Sequence, residues 1–334
     1  MRIGSVYAEP GTKSTGFLKV ATRPDGTPIS IPIILVNGID DGPVLCADAC
    51  CHPDEVEGAL ALVRLGEMLE PRQLKGVFIG IPVLNGPGFE TKQMVAGNPC
   101  YWPGPQDMSR SFPGKPDGTI TERIAHVYMN EIVSKANYVL QLHGGGNSTF
   151  NTERIWVEED ERGKDSMELA KAMGGKWDLI ILRPPQTGSI EQACTRKGIP
   201  AISPELGGAS DRLPERLDIH VNSFVQGITN VMKHCGMLEG EPTLPESWTI
   251  LDGTQFQLCA NNGGLSILEP TYRLRGMVRK GQTLMRIVNT AGEEVERIIA
   301  PYEGVIIGVK ANPITLAGET IGLFAKVVRT ENKQ

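Results

Sequence analysis

The sequence predicts an α/β fold, with a mixed β-sheet flanked by helices and then a small all-β domain. Two observations predict this class. Short β-rich runs alternate with amphipathic helical segments through the first 245 residues, which is typical of a sheet with helices packed on it. Beyond that point the helical pattern stops, and short β-like runs are separated by turns.

The elements of the first part follow one another along the chain. Strands are predicted at 29–38, 42–51, 76–85, 137–146, 178–183 and 200–206, and helices at 54–69, 121–136, 164–173, 188–197 and 214–236. Pro53 suits the first turn of its helix, because its missing N–H would have no partner there. Residues 86–118 are rich in Gly, Pro and Asn and are predicted to form a long, functional loop. GTKSTG (11–16) lacks the spacing of a phosphate-binding loop and is predicted to be a turn.

A Pro- and Glu-rich connector, EGEPTLPESW at 239–248, marks the boundary between two predicted domains. The first domain covers 1–245 and opens with a β segment at 1–38. The second domain covers 246–330.

Composition and charge argue against several classes of function. The net charge of −6 leaves no basic surface of the kind that binds nucleic acid. No apolar run approaches the roughly 18 residues of a membrane span, and the N-terminus lacks the apolar region of a signal peptide. The seven cysteines are odd in number and have no CxxC spacing, so reduced thiols and a cytoplasmic protein are predicted.

The stretch CHPDEVEG (51–58) places a histidine three residues before a glutamate, where a predicted strand runs into a predicted helix. His52 and Glu55 can converge there, and with a second, distant histidine they would make a three-ligand zinc site with an open position for water. The distant candidate is His143 in LQLHGGG, again after a strand, and open α/β sheets bind ligands beyond the carboxyl ends of their strands. A lone HxxE is nevertheless common, and Glu55 would also favour the helix dipole.

Two further stretches supply polar side chains suited to hydrolysis. Glu205 in ISPELGG ends a predicted strand, where its carboxylate can move a proton from water to a leaving amine. Arg110 follows Ser109 in DMSRSFPG and suits a bidentate grip on a carboxylate. The alternatives are a loop or capping glutamate and a surface salt bridge.

Five stretches resemble the ordered motifs of the succinylglutamate desuccinylase/aspartoacylase family, relatives of the zinc carboxypeptidases. They are HPDE (52–55), NGPGF (85–89), DMSRSFPG (107–114), LHG (142–144) and PELG (204–207). The segment at 300–325 also resembles that family's terminal β domain, a barrel-sandwich-like fold. The overall layout looks closest to the branch that contains acetyl-diaminobutyrate deacetylases.

The resemblance implies a role for each candidate residue. The zinc ligands would be His52, Glu55 and His143, the general base Glu205, and the anchor for a substrate carboxylate Arg110 with Ser109. One Zn²⁺ per chain and hydrolysis of the amide bond of a small N-acyl amino acid, or a related N-acyl amine, are the implied cofactor and activity. The implied partner is thus a small-molecule substrate, with neither nucleic acid nor membrane; a homo-oligomer is left open.

The chain departs from the family pattern at four positions. Pro53 stands where the family has Gly, Ser109 where it has Asn, and Gln141 where it has Asp. The family's carbonyl-polarising arginine has no counterpart in ETKQMV (90–95), where Lys92 is the candidate substitute. Loss of one such donor costs about 10²–10³ in rate, so some residue has to replace it.

Other functions use the same residues differently. A metallocarboxypeptidase would admit short peptides, and a non-catalytic protein would bind a carboxylate ligand on the same scaffold without turnover. A serine esterase is disfavoured, because HGGG (143–146) is not accompanied by a GxSxG nucleophile motif. Cys50 and Cys51 cannot easily share a metal ion, since successive strand residues point to opposite faces.

Overall fold

The structure, a computed structural model, describes residues 1–95, 106–209 and 213–333. Its first part alternates strands and helices, as predicted. The strands are β1 (Arg2–Ile3), β2 (Val6–Tyr7), β3 (Thr12–Thr22), β4 (Pro28–Asn37), β5 (Asp40–Ala49), β6 (Lys75–Ile81), β7 (Tyr138–Leu142), β8 (Thr149–Glu158), β9 (Leu179–Arg183) and β10 (Ala201–Gly208). The helices are α1 (Glu57–Met68), α2 (Gly86–Thr91), α3 (Ile120–Val127), α4 (Gly163–Met173), α5 (Ile190–Thr195) and α6 (Pro214–His234). Single turns of 3₁₀ helix cover Pro71–Gln73, Met108–Arg110 and Val133–Lys135, and a π-helical turn covers Tyr128–Ile132.

The described chain after α6 forms strands and turns only, which confirms the predicted all-β C-terminal region. Its strands are β11 (Ser247–Asp252), β12 (Gln257–Cys259), β13 (Gly264–Leu268), β14 (Met277–Val278), β15 (Thr283–Val288), β16 (Glu294–Ile299), β17 (Gly304–Lys310), β18 (Ile314–Thr315) and β19 (Thr320–Asn332). Among the described residues, no helix is long and apolar enough to cross a membrane.

A large mixed sheet runs through the centre of the molecule. Its strand order is β14-β17-β19-β11-β9-β8-β10-β7-β5-β6-β4-β3, and β12 joins it at β19. The neighbours β6, β5, β7 and β10 are parallel, whereas β10 and β8 are antiparallel. A separate antiparallel sheet has the order β16-β15-β13-β18. Because β11 pairs in parallel with β9, the central sheet continues past residue 245, and the division into two domains there stays a prediction.

Helices cover both faces of the sheet, and the alternation of side chains along β5 shows why. Leu45 and Ala47 pack into a core cluster with α1, α4 and α6, whereas Cys46 packs into a second cluster with α3 and α5. Cys50 and Cys51 also fall into different clusters. The two side chains therefore point to opposite faces of the sheet, as predicted.

Several predicted elements are wrong in detail. GTKSTG is not a turn, because β3 starts at Thr12 and pairs along the whole of β4. Helix α1 starts only at Glu57, so Pro53 and Glu55 lie in the loop after β5 and not in the first helical turn. The predicted loop at 86–118 contains α2 and a 3₁₀ turn, and its residues 96–105 lie outside the described residues.

Candidate active site

The three predicted metal ligands meet at one point at the edge of the sheet. β5 and β7 are adjacent parallel strands, so the loops after them carry His52 and His143 to the same place. Glu55 lies between the two rings, with Oε1 3.0 Å from His52 Nδ1 and Oε2 2.9 Å from His143 Nδ1. The ligand atoms of the three residues all lie within 4.8 Å of one another. A single cation can therefore contact all three.

The far side of each imidazole is held by another polar side chain. His52 Nε2 lies 3.2 Å from Asp107 Oδ1, and His143 Nε2 lies 3.1 Å from Gln141 Oε1. The Gln141 amide in turn donates to Asp48 Oδ1 over 3.1 Å. Such partners fix the tautomer and orientation of metal-binding histidines. Glutamine at position 141 thus still provides His143 with a hydrogen-bond acceptor.

The charges of the cluster favour a bound cation. Burial would raise the pKa of Glu55, but His52 and His143 lower it to about 2. Burial would lower the pKa of His52, but the carboxylates of Glu55 and Asp107 raise it to about 11. The cluster thus stabilises a positive charge, and two imidazoles with one carboxylate form a donor set that zinc uses in proteins. The residues present therefore fit the metal that the family resemblance implies.

Close backbone packing brings the loop after β7 against β10, the strand that carries Glu205. A Cβ on Gly145 would lie 1.8 Å from the Thr149 carbonyl oxygen, and one on Gly208 would lie 2.5 Å from the Gly145 Cα. Gly208 also has a φ of +116°, which side chains other than glycine rarely adopt. His143 and Glu205 themselves form a parallel β-bridge. The glycines thus place the predicted base beside a predicted ligand.

Glu205 is held by an arginine that the sequence analysis missed. Arg154 on β8 lies directly opposite Glu205 on β10, and this antiparallel register puts both side chains on one face. The Arg154 side chain is only 2% exposed, and its Nη2 donates a short hydrogen bond to Glu205 Oε2. Its Nη1 donates to the Ile307 carbonyl over 2.7 Å, while its Nε has no hydrogen-bond partner among the described residues. Arg154 therefore ties the carboxylate of the predicted base to the C-terminal region.

Strand β8 as a whole is absent from the predicted elements, although its pattern was present in the sequence. Ile155 and Val157 pack into the core, and the polar or aromatic Arg154, Trp156 and Glu158 alternate with them. In ERIWVE, aliphatic residues alternate with polar or aromatic ones, and this period of two indicates a strand whose two faces have different environments. That signal would have found Arg154 as a candidate.

Asp107 organises the turn that carries the predicted carboxylate anchor. Its Oδ1 accepts hydrogen bonds from the Ser109 backbone N–H at 2.9 Å and the Ser109 hydroxyl at 2.7 Å. Arg110 Nε lies 3.3 Å from Asp107 Oδ2, and the Arg110 side chain is 70% exposed. Ser109 thus contacts Asp107, and Arg110 presents its guanidinium towards solvent at the cavity.

The metal-site residues, Glu205, Ser109 and Arg110 share one cavity of about 300 Å³. Arg154 lines it too, and Phe256 and Leu323 contribute to its wall from the C-terminal region. Lys92 lies elsewhere. It is the exposed residue that ends α2, in a left-handed conformation with φ of +56°. It is not among the described residues that line the cavity. The structure thus brings together six of the seven predicted site residues.

Comparison with known proteins identifies relatives of the whole chain. The chain is 29% identical over 329 residues to the N-alpha-acetyl-L-2,4-diaminobutyric acid deacetylase of Halomonas elongata, covering 94% of this chain and 92% of that protein. Its fold matches a succinylglutamate desuccinylase from Silicibacter sp. TM1040 with a TM-score of 0.83, at 22% identity and over 98% of this chain and 100% of that one. It also matches the product-bound ectoine utilization protein EutE from Ruegeria pomeroyi with a TM-score of 0.82, at 23% identity and over 96% and 98% of the two chains. Residues 41–235, more than half of the chain, match the model of the succinylglutamate desuccinylase/aspartoacylase catalytic domain, and the protein therefore belongs to that family.

Proposed function

We propose that this protein is a zinc-dependent hydrolase that cleaves the amide bond of a small N-acyl amino acid. The observation that carries the proposal is the shared cavity, in which the His52–Glu55–His143 cluster lies beside the carboxylate of Glu205. Membership of the family supports the reaction class. The compound named for the Halomonas relative, N-alpha-acetyl-L-2,4-diaminobutyric acid, is the first substrate to test.

His52, Glu55 and His143 would hold the metal. A bound zinc ion supplies a Lewis acid that makes water more acidic and polarises an acyl carbonyl. The partly enclosed cavity, with Phe256 and Leu323 in its wall, favours a small substrate over a long peptide.

Glu205 moves the proton. Its Oε2 is bound by Arg154, so Oε1 is the oxygen that accepts a proton from the attacking water. The same oxygen then delivers that proton to the nitrogen of the departing amine. Arg110, with Ser109 beside it, binds the substrate carboxylate and fixes the scissile bond over the metal ligands. Arg110 is exposed enough to exchange its contact with Asp107 for a substrate.

The test separates metal binding from proton transfer. We expect Glu205→Gln to lower kcat by about 10²–10⁴ while zinc stays near one ion per chain, because the residue is a general base and not a ligand. Metal content is measured by elemental analysis, and turnover with a panel of N-acyl amino acids and short peptides. The exposed Glu239→Gln is the matched control and should retain full activity.

Full turnover in Glu205→Gln, or turnover that survives removal of the metal by a chelator, would discard the mechanism. Cleavage of peptides in preference to acyl amino acids would identify a metallocarboxypeptidase. Binding of acyl amino acids without turnover under any metal would identify a non-catalytic protein.

A further inference from the structure

A second set of charged side chains lies beside the next residue pair along the strands that carry Arg154 and Glu205. Trp156 pairs with Ser203 across β8 and β10, two residues from Arg154 and Glu205. Two strand residues span roughly 7 Å, so this row is within reach of a short substrate side chain. Ser203 and Trp156 both line the cavity.

Glu191, from α5, is the acidic group at this position. It is 3% exposed and lines the same cavity. Its Oε1 accepts a hydrogen bond from the Ser203 hydroxyl at 2.6 Å and one from Arg183 Nη2 at 3.1 Å. Both of these contacts reach Oε1, so Oε2 is the oxygen at which a ligand can bind. Glu191 is thus a buried carboxylate held rigidly at the cavity wall.

Arg183 is shared between two carboxylates. Its Nη2 also lies 3.5 Å from Oε1 of Glu158, a residue that is 1% exposed and lies opposite Arg183 on the neighbouring strand. Glu158 Oε2 is buried and has no hydrogen-bond partner among the described residues. Burial, and then repulsion from Glu191, raises the pKa of Glu158 to about 7. The two carboxylates share one guanidinium, so the cluster needs either a proton on Glu158 or a second cation to be balanced.

We propose that Glu191 selects the substrate by binding an ammonium group on the side chain of an N-acyl amino acid, and that Glu158 and Arg183 hold Glu191 in place. The inference rests on the proposed deacylation, and it names the substrate class: a compound with a cation a few bonds from the scissile amide. An ammonium would supply the charge that the cluster lacks, because a buried carboxylate is stable only when it is paired.

Two other interpretations make different predictions. An anionic side chain would need Arg183, but that guanidinium already contacts two carboxylates and lies over the Trp156 ring at 5.1 Å. A purely structural ion cluster would have no effect on which substrate binds. The test therefore compares small substrates whose side chains differ in charge and by no more than one atom in length.

The experiment uses the zinc-loaded protein and three Nα-acetyl amino acids: those of L-2,4-diaminobutyrate, L-2-aminobutyrate and L-aspartate. We expect kcat/KM to be highest for the cationic compound. Glu191→Gln should lower kcat/KM for that compound about 10–100-fold, as for the loss of a hydrogen bond to a charged group. The same variant should change kcat/KM for the neutral compound less than about threefold. Calorimetric titration with free L-2,4-diaminobutyrate and L-2-aminobutyrate gives a second readout without turnover, in which the same variant should abolish the preference for the diamine.

Glu159→Gln, at the exposed residue next to Glu158, is the matched control and should leave the preference unchanged. If Glu191→Gln does not fold, Ser203→Ala replaces it. This substitution removes a single hydrogen bond to Glu191 and should selectively weaken binding of the diamine. Equal rates and affinities for cationic and neutral compounds, a preference for the aspartate derivative, or an equal loss for all compounds in the variants would overturn the inference. A retained preference for the free diamine with no hydrolysis of any acyl compound would overturn the proposed function alone.

Discussion

The two walls of the cavity are built in different ways. The metal wall, named for its candidate ligands, comes from loops after the parallel strands β5 and β7, and those candidates lie in the short motifs HPDE and LHG. The strand wall comes from β8, β9 and β10, and its side chains are brought together by register across strands. The residues of the first wall lie in short contiguous motifs, whereas the second wall depends on strand pairing between residues far apart in the chain.

The two candidate ligand histidines and the charged residues of the strand wall differ in how completely their polar atoms are paired. In the metal wall, both nitrogens of His52 and His143 have a polar partner within 3.2 Å. In the strand wall, Arg154 Nε, Arg183 Nε and Glu158 Oε2 are buried without a hydrogen-bond partner among the described residues. Buried atoms of this kind cost free energy unless a ligand pairs with them. The proposed base Glu205 also lies on β10, so under the proposed function the strand wall takes part in both proton transfer and substrate recognition.

After Glu205, the largest effect on kcat expected within the strand wall is that of Arg154. Arg154→Met keeps the bulk of the side chain but removes the hydrogen bond to Glu205, so the base loses its fixed position. We expect kcat to fall about 10–100-fold, the size expected for a charged hydrogen bond, with KM and zinc content unchanged. Steady-state kinetics and elemental analysis measure the three quantities.

Arg154→Lys is the matched variant, since it keeps the charge and a donor, and it should restore part of kcat. A merely structural role predicts that both variants lower the melting temperature and leave kcat per folded molecule unchanged. That result would mean that Arg154 stabilises the fold and has no effect on catalysis through Glu205.

Local motifs made the metal wall predictable, and in the strand wall they identified Glu205 but not its partner Arg154. His52, Glu55 and His143 were predicted because short loops follow buried strands, and the ends of parallel strands meet. Even there the exact placement of Glu55 was wrong: its backbone N–H bonds to the His52 carbonyl at 3.1 Å, and this turn delays the start of α1 to Glu57. Arg154 could not be paired with Glu205 from sequence, because the register of strands about fifty residues apart is a tertiary property.

A smaller effect is expected from Glu158, and it concerns stability. Its pKa is raised in the folded protein, so the folded state binds a proton more tightly than the unfolded chain does. The contribution of this proton to the free energy of unfolding is full below the pKa that Glu158 has in the unfolded chain. It falls as pH rises towards about 7, where the folded protein loses that proton. Glu158→Gln cannot ionise and should escape this loss. We expect the difference in Tm, variant minus wild type, to rise by roughly 2–4 °C between pH 5 and pH 8.

The melting temperatures are measured by calorimetry across that range, with the exposed Glu159→Gln as control. A difference that stays constant with pH, or one that falls, would show that Glu158 is ionised in the folded protein throughout. The cluster around Arg183 would then carry a net negative charge across the whole pH range.

The smallest effect is expected for Lys92, which the sequence suggested as the substitute for the family's carbonyl-polarising arginine. In the structure it is exposed at the end of α2, whereas Arg154 and Arg183 line the cavity. We therefore expect Lys92→Ala to change kcat/KM less than about threefold, as for a surface charge far from the reacting atoms. The same kinetic assay as for Arg154→Met compares the two residues directly. A loss of about 10²-fold or more, the size of a missing oxyanion donor, would mean that Lys92 reaches the substrate when it binds. The positive charge that acts on the acyl group would then come from the end of α2, outside both walls.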